Sequence, residues 1–381
     1  MAGGSELNKS YFYAVDDKCG YGNISYFTYF SEFNRSWKNA GHLEAGMMTS
    51  LFVISVLGNV FIIGFLLKHK SSRTITNYFV CNLAIADVSF ALSAPFVAHV
   101  RITNDWRFGE GMCRFLNYWM FVCAGVIIWT MTVISVDRYM CIYKGVSAKT
   151  RIKPTHVAVI CVSLWIVFSC AFLPLALFFH VKDIQLSNET SIKFCTLLWP
   201  NSSVRYSTIF TIVVLMIGFA IPLSIIMLNY YKIFRKLWTS NTAIANTSKQ
   251  TRGGRMTSVR RSRDLKIIKT LVILVVLFII MWLPMFIVIG CIQRDVSVSA
   301  NNISSSALIW TIIVAYVNPC VNPFLYGFMN REISRSLRLC CRNRTENEDS
   351  EKPNSQTAFR TTIDKTTKDL PESNGNETTH M

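Results

Sequence analysis

Seven stretches of the chain, about 45–67, 77–100, 111–142, 156–179, 207–234, 266–290 and 307–329, are long and apolar enough to cross a bilayer as helices. A hydrocarbon core demands roughly 20 apolar residues per helical span, which each stretch supplies. Of the 381 residues, 51% are hydrophobic and only 16% charged, with a mean hydropathy of +0.33. A soluble domain carries charge on about a quarter of its residues, so the deficit calls for lipid-facing surface and excludes a disordered or ordinary cytosolic chain. The expected fold class is an all-α membrane protein, a seven-transmembrane helix bundle with a short amphipathic eighth helix.

The formal net charge of +17 sits in the gaps between spans and in the tail, not on a globular segment, so nucleic acid is not expected as a partner. After spans one, three and five come Lys68, Lys70 and Arg73; then Lys144, Lys149, Arg151 and Lys153; then Lys249, Arg252, Arg255, Arg260, Arg261 and Arg263. The positive-inside rule makes those loops cytoplasmic and the N-terminus extracellular. Glycosylation sequons at Asn8, Asn23, Asn34, Asn188 and Asn201 agree with that orientation, while those at Asn246, Asn343 and Asn376 fall on the cytoplasmic side and are expected to stay unmodified. No basic segment followed by an apolar one precedes residue 45, so the first span is expected to act as the insertion signal.

Four regions follow: an extracellular glycosylated N-terminus (1–44), the bundle (45–329), an amphipathic helix (330–341) and a disordered cytoplasmic tail (342–381). Cys340 and Cys341 end the amphipathic stretch and suit palmitoylation, which would bind it to membrane lipids. The twelve cysteines are too scattered for a disulfide scaffold, and no Cys-x-x-Cys pair occurs, so neither a metal nor a cofactor is expected.

Polar residues inside apolar spans are costly and carry function by default. Asp87 lies deep in span two, and Asn59, Asn318 and Asn322 on spans one and seven are candidates to face it. At the cytoplasmic end of span three stands Asp137-Arg138-Tyr139, where a buried guanidinium must be paired. Asp264 at the base of span six is one candidate, and a pair with Arg138 would form a breakable lock between two spans. Pro222, Pro284 and Pro323 each remove a helix hydrogen bond and create hinges in spans five, six and seven.

Taken together, Gly58-Asn59, Leu83-Ala84-Ile85-Ala86-Asp87, Asp137-Arg138-Tyr139, Trp165, Pro222, Trp282-Leu283-Pro284 and Asn322-Pro323-Phe324-Leu325-Tyr326 resemble a rhodopsin-like (class A) G-protein-coupled receptor across all seven spans. The resemblance implies a disulfide between Cys113 and Cys195, a toggle at Trp282, and a core connector of Pro222, Ile128 and Phe278. It further implies rearrangement of Tyr230 and Tyr326 on activation. A heterotrimeric G protein, arrestin and receptor kinases are its implied partners, the plasma membrane is its implied location, and no enzymatic activity is expected.

The span-three position where amine receptors carry Asp is Met120, which excludes a biogenic amine, and Tyr316 stands where opsins carry their retinal lysine. Phe194-Cys195-Thr196-Leu197-Leu198-Trp199-Pro200, Leu173-Pro174-Leu175-Ala176-Leu177-Phe178-Phe179 and Phe278-Ile279-Ile280-Met281-Trp282 resemble the long-chain free fatty acid receptors, the type 4 receptor among them. That resemblance implies a fatty acid or other lipid-like ligand, Arg101 as its carboxylate anchor, and Gq-type coupling. Phe115, Trp119, Met120, Phe121, Trp199, Trp282 and Trp310 are the residues expected to line the slot. The alternatives are a peptide ligand, since Trp106-Arg107-Phe108-Gly109 is also common among peptide receptors, and a constitutively active orphan.

Overall fold

A computed structural model describes residues 7–8, 11–16, 21–33, 35, 37–69, 74–145, 152–185, 191–200, 203, 205–247, 273, 275–293 and 303–329; of these, 7–26, 184–185, 240–247 and 326–329 are described by backbone alone. All lie within the compact unit Met1–Met329. Among the described residues, seven helices are long and apolar enough to span a membrane: Ala40–Lys68, Ile75–Thr103, Gly109–Ile142, Pro154–Phe178, Tyr206–Thr239, Val275–Gln293 and Ser305–Leu325. They match the expected spans in order and number. The expected amphipathic eighth helix, with Cys340 and Cys341, lies outside the described residues.

Span three is the axis of the bundle. Cys113, Leu116, Met120, Val122 through Ile128, Met131 and Ile134 are all buried, whereas spans four and five turn large apolar side chains such as Val159, Ile166, Ile212 and Leu228 outward. In water such a surface would drive aggregation, but in lipid it is the expected exterior. Span three passes close to span four because Gly125 has no side chain: a Cβ there would come within 2.4 Å of the Phe168 ring.

Span five contains a π-helical turn, Met216–Ala220, just before Pro222. Proline cannot donate a hydrogen bond, and the helix absorbs the mismatch by widening one turn, with the Ile221 amide bonding back to the Met216 carbonyl. The Ile217 carbonyl, released from its α-helical partner, accepts from Trp129 Nε1 of span three at 2.9 Å.

Beyond the spans, the N-terminal region forms a three-stranded antiparallel sheet of β1 (Leu7–Asn8), β2 (Tyr11–Asp16) and β3 (Tyr21–Phe27). Between spans four and five, β4 (Phe179–Gln185) and β5 (Ser191–Leu197) make a hairpin in continuous register from Phe179 opposite Leu197 to Gln185 opposite Ser191. The expected Cys113–Cys195 disulfide is formed and ties this hairpin to span three. Both lie at the end of the bundle that carries the N-terminus, called the N-terminal face below.

We predict that Gly125→Ala costs about 1–3 kcal/mol by overpacking against Phe168, read as a lower thermal midpoint of the receptor in nanodiscs; Phe168→Ala in the same chain should recover part of the loss.

Candidate functional site

The N-terminal face is organised by Arg101, which is 0% exposed near the end of span two. Its Nε donates to Glu44 at 2.6 Å, its Nη1 to the Phe30 carbonyl at 2.8 Å, and its Nη2 to Glu32 at 3.0 Å, Glu44 at 3.1 Å and Ser306 at 2.9 Å. A buried guanidinium is tolerable only when its donors are met this completely. Arg35 completes the cluster 3.6 Å from Glu44 and 3.7 Å from Glu32, so two cations face two carboxylates. Burial pushes the pKa of Arg35 down, and Arg101 acts in the same sense against Glu44 and Glu32.

Span two ends at Asn104, whose left-handed conformation (φ 56°) is one that asparagine tolerates. Asn104 Oδ1 accepts from Arg35 Nη2 at 3.1 Å and weakly from the Glu32 amide at 3.4 Å, so the helix end is itself a receiving point for the N-terminal segment. Trp106, fully buried, donates from its indole to the Gly109 carbonyl and from its amide to the Lys193 carbonyl of β5. Asp105 accepts from the Lys193 amide and from Arg107; opposing its partial burial, these bonds hold the carboxyl below its ordinary range.

This geometry corrects the expectation for Arg101. Every nitrogen of its side chain already has an acceptor, so it is a structural cation rather than an open carboxylate anchor. Two of the expected slot residues are also placed elsewhere: Phe115 is 50% and Trp310 41% exposed on the outside of the bundle. Trp119 stacks between Phe115 and Trp165 at the span-three and span-four seam, away from the axis. Met120 and Trp282 do face the interior, where Trp282 approaches Phe90 with ring centroids 6.1 Å apart. Phe121 packs on Phe172, and Trp199 lies between Phe178 and Phe210. Beneath them the Tyr316 hydroxyl and Ser93 share a hydrogen bond of 2.5 Å.

In the middle of the bundle, Asn322 Nδ2 donates to Asp87 at 2.8 Å, joining spans two and seven as expected. Asn59 does not reach Asp87; it bonds the carbonyls of Ser55 and Pro319 instead. Gly58 lets span seven come near, since a Cβ there would lie 3.0 Å from Pro323. Phe278 stacks on Phe219 at 6.1 Å, and Ile128 is buried.

At the opposite face, Asp137 accepts from Thr76 of span two at 2.8 Å. Arg138 is half-buried in electrostatic contact with Tyr230, and its Nε has no hydrogen-bond partner among the described residues. Lys232 sits over the Tyr139 ring, and Lys236 donates to the carbonyls of Ile142 and Tyr143, which seals span five against span three. Asp264 lies outside the described residues, as do Asn34, Asn188 and Asn201; so do the side chains of Asn8, Asn23 and Tyr326.

Glu44, Ser305 and Ser306 were not singled out in the sequence. Two acids shortly before and at the start of the first apolar span, and an arginine at the end of the second, were the available signal, since an arginine drawn into an apolar helix requires carboxylates.

The family description "7 transmembrane receptor (rhodopsin family)" matches residues 58–326, and the chain belongs to that family. It is a signalling receptor and not an enzyme. The mouse somatostatin receptor type 2 is 30% identical over 307 residues, covering 80% of this chain and 79% of that receptor. The bovine somatostatin receptor type 5 is 31% identical, covering 75% and 73%, and the rat somatostatin receptor type 4 is 29% identical, covering 80% and 76%. These relatives give the free-fatty-acid resemblance no support.

Because breaking a buried ion pair costs about 3–5 kcal/mol, we predict that Arg101→Ala lowers both surface expression and thermal midpoint, and that Glu44→Gln does so less. A stable, well-expressed Arg101→Ala receptor that had lost only ligand potency would restore the anchor reading.

Proposed function

We propose that this receptor takes a peptide ligand at its N-terminal face, which is extracellular, and engages a heterotrimeric G protein at the opposite, cytoplasmic face. The observation that carries the reading is the state of Arg101: its guanidinium is already paired with Glu32 and Glu44, while the face around it is rich in hydroxyls, carbonyls and aromatic rings of the kind that grip peptides. The relatives named as somatostatin receptors, that is, receptors of a peptide hormone, support the same choice. The lysines and arginines at the Arg138 end, together with sequons near the Cys113–Cys195 end, support the orientation.

In this reading a ligand acts by binding one arrangement of the bundle more tightly than another. The hinges at Pro222 and Pro323 and the Phe219–Phe278 stack carry the difference to Arg138. The Arg138–Asp264 lock, the Cys340 and Cys341 acyl sites, the five extracellular sequons, and the arrestin and kinase contacts of the tail belong to the same proposal. The Gq-type expectation rested on the fatty-acid resemblance and falls with it, so subtype is read directly from the assay.

The test is G-protein dissociation, subtype by subtype, in cells lacking endogenous receptor, comparing a peptide library that includes somatostatin with long-chain fatty acids at equal surface expression. We expect a dose-dependent response to a peptide that drops at least about tenfold in Arg138→Ala. A response to fatty acids with silence toward peptides would overturn the ligand class.

A further inference from the structure

The seven residues Phe27–Phe33 lie across the N-terminal face, and all except Tyr29 are buried. Their backbone is gripped by side chains of the bundle. The Phe27 carbonyl accepts from Thr196 of β5 at 2.9 Å and that of Phe30 from Arg101 of span two, while the Ser305 hydroxyl of span seven, with one proton to give, lies within reach of both the Thr28 and Ser31 carbonyls; Ser31 also accepts from the Thr28 hydroxyl at 2.7 Å. The side chains are read as well. Thr28 shares a hydrogen bond with Ser305, Tyr29 meets Phe179 edge-on at 5.1 Å, Phe30 stacks on Trp106 at 6.0 Å, and Glu32 is held by Arg101 and Ser306.

A segment that served only as a roof would need apolar cover and little else. Here the hydroxyls of Thr196 and Ser305 and the guanidinium of Arg101 meet backbone carbonyls of the segment, Arg101 and Ser306 hold its acid, and Tyr29 and Phe30 make aromatic contacts, which is how a protein recognises a peptide. We propose that the N-terminal face is a peptide-binding groove filled in cis, with Phe27–Phe33 as its tethered occupant. The groove takes an aromatic-rich segment with a hydroxyl at its second position and an acid at its sixth, and an external peptide ligand must compete with it. This rests on the peptide-receptor reading and deepens it.

The tether sets the strength of the competition. Six residues, 34–39, join the segment to the first span. A linker that short gives an effective concentration on the order of millimolar, so a free copy of the segment at micromolar concentration is excluded from the wild-type groove.

The probe is a fluorophore-labelled heptapeptide, Phe-Thr-Tyr-Phe-Ser-Glu-Phe, with polarisation read on the full-length receptor in nanodiscs. Thr28→Val with Glu32→Gln weakens the cis segment while Glu44 still neutralises Arg101. We expect saturable binding to this variant at least about 100-fold tighter than to wild type, and a control peptide carrying the same two changes should bind at least about tenfold more weakly. Equal binding to wild type and variant, or equal binding of both peptides, would overturn the proposal.

A second variant guards against misfolding: a protease site inserted between Trp37 and Lys38 leaves the segment itself unaltered. After cleavage the N-terminal fragment should stay bound and be displaced by the heptapeptide. Immediate loss of the fragment from a receptor that keeps its Cys113–Cys195 bridge and thermal midpoint would show that the segment has no groove of its own. Neither assay uses an agonist or a G protein, so failure here is distinct from failure of the receptor reading.

Discussion

A lipid interior offers no hydrogen-bond partners, so each polar group inside the spans has to find one within the chain. The bundle is fastened at the points where it does. Trp165 of span four donates to Asn82 of span two, which donates to Thr130 of span three, and three helices are joined by two bonds of 3.0 and 2.9 Å. Asn59 reaches the Pro319 carbonyl, Asn322 reaches Asp87, and Thr76 reaches Asp137. Apolar packing alone would leave the helices free to slide, because lipid tails solvate leucine as well as leucine does. These few bonds fix the register.

The same constraint acts most strongly on charge, and it explains why the two ends of the bundle differ. Arg101 is fully paired, and its carboxylates come from the N-terminal segment and the first span, so a stretch of chain outside the membrane is drawn into the fold. Arg138, at the other end, is left with an unused Nε among the described residues. One arginine ties the N-terminal segment to spans one, two and seven, while the other keeps a donor without a partner among the described residues.

The spans were legible because a 20-residue apolar run is a coarse, redundant signal. So was the Asp87–Asn322 contact, since two polar residues deep in apolar helices have few other options. The role of Arg101 was misread because it was carried over from the fatty-acid resemblance, whereas its environment is built by Glu32, Glu44 and Ser306, up to 205 positions away in the chain. Phe115, Trp119 and Trp310 were assigned inward on chemistry alone. Aromatic side chains suit a pocket and a lipid interface equally, and only the helical phase, which single residues do not report, decides between them.

The π turn of span five bears on that phase. One additional residue in a turn rotates everything beyond it by about 100° relative to a regular helix. Tyr206–Leu215 and the segment after Ile221 therefore present faces that are set separately, although they belong to one rod. In evolutionary terms the two halves are decoupled: the half near the N-terminal face can drift to suit a new ligand without turning Asn229 away from Ser135, so a single helix can change what it detects and keep what it reports.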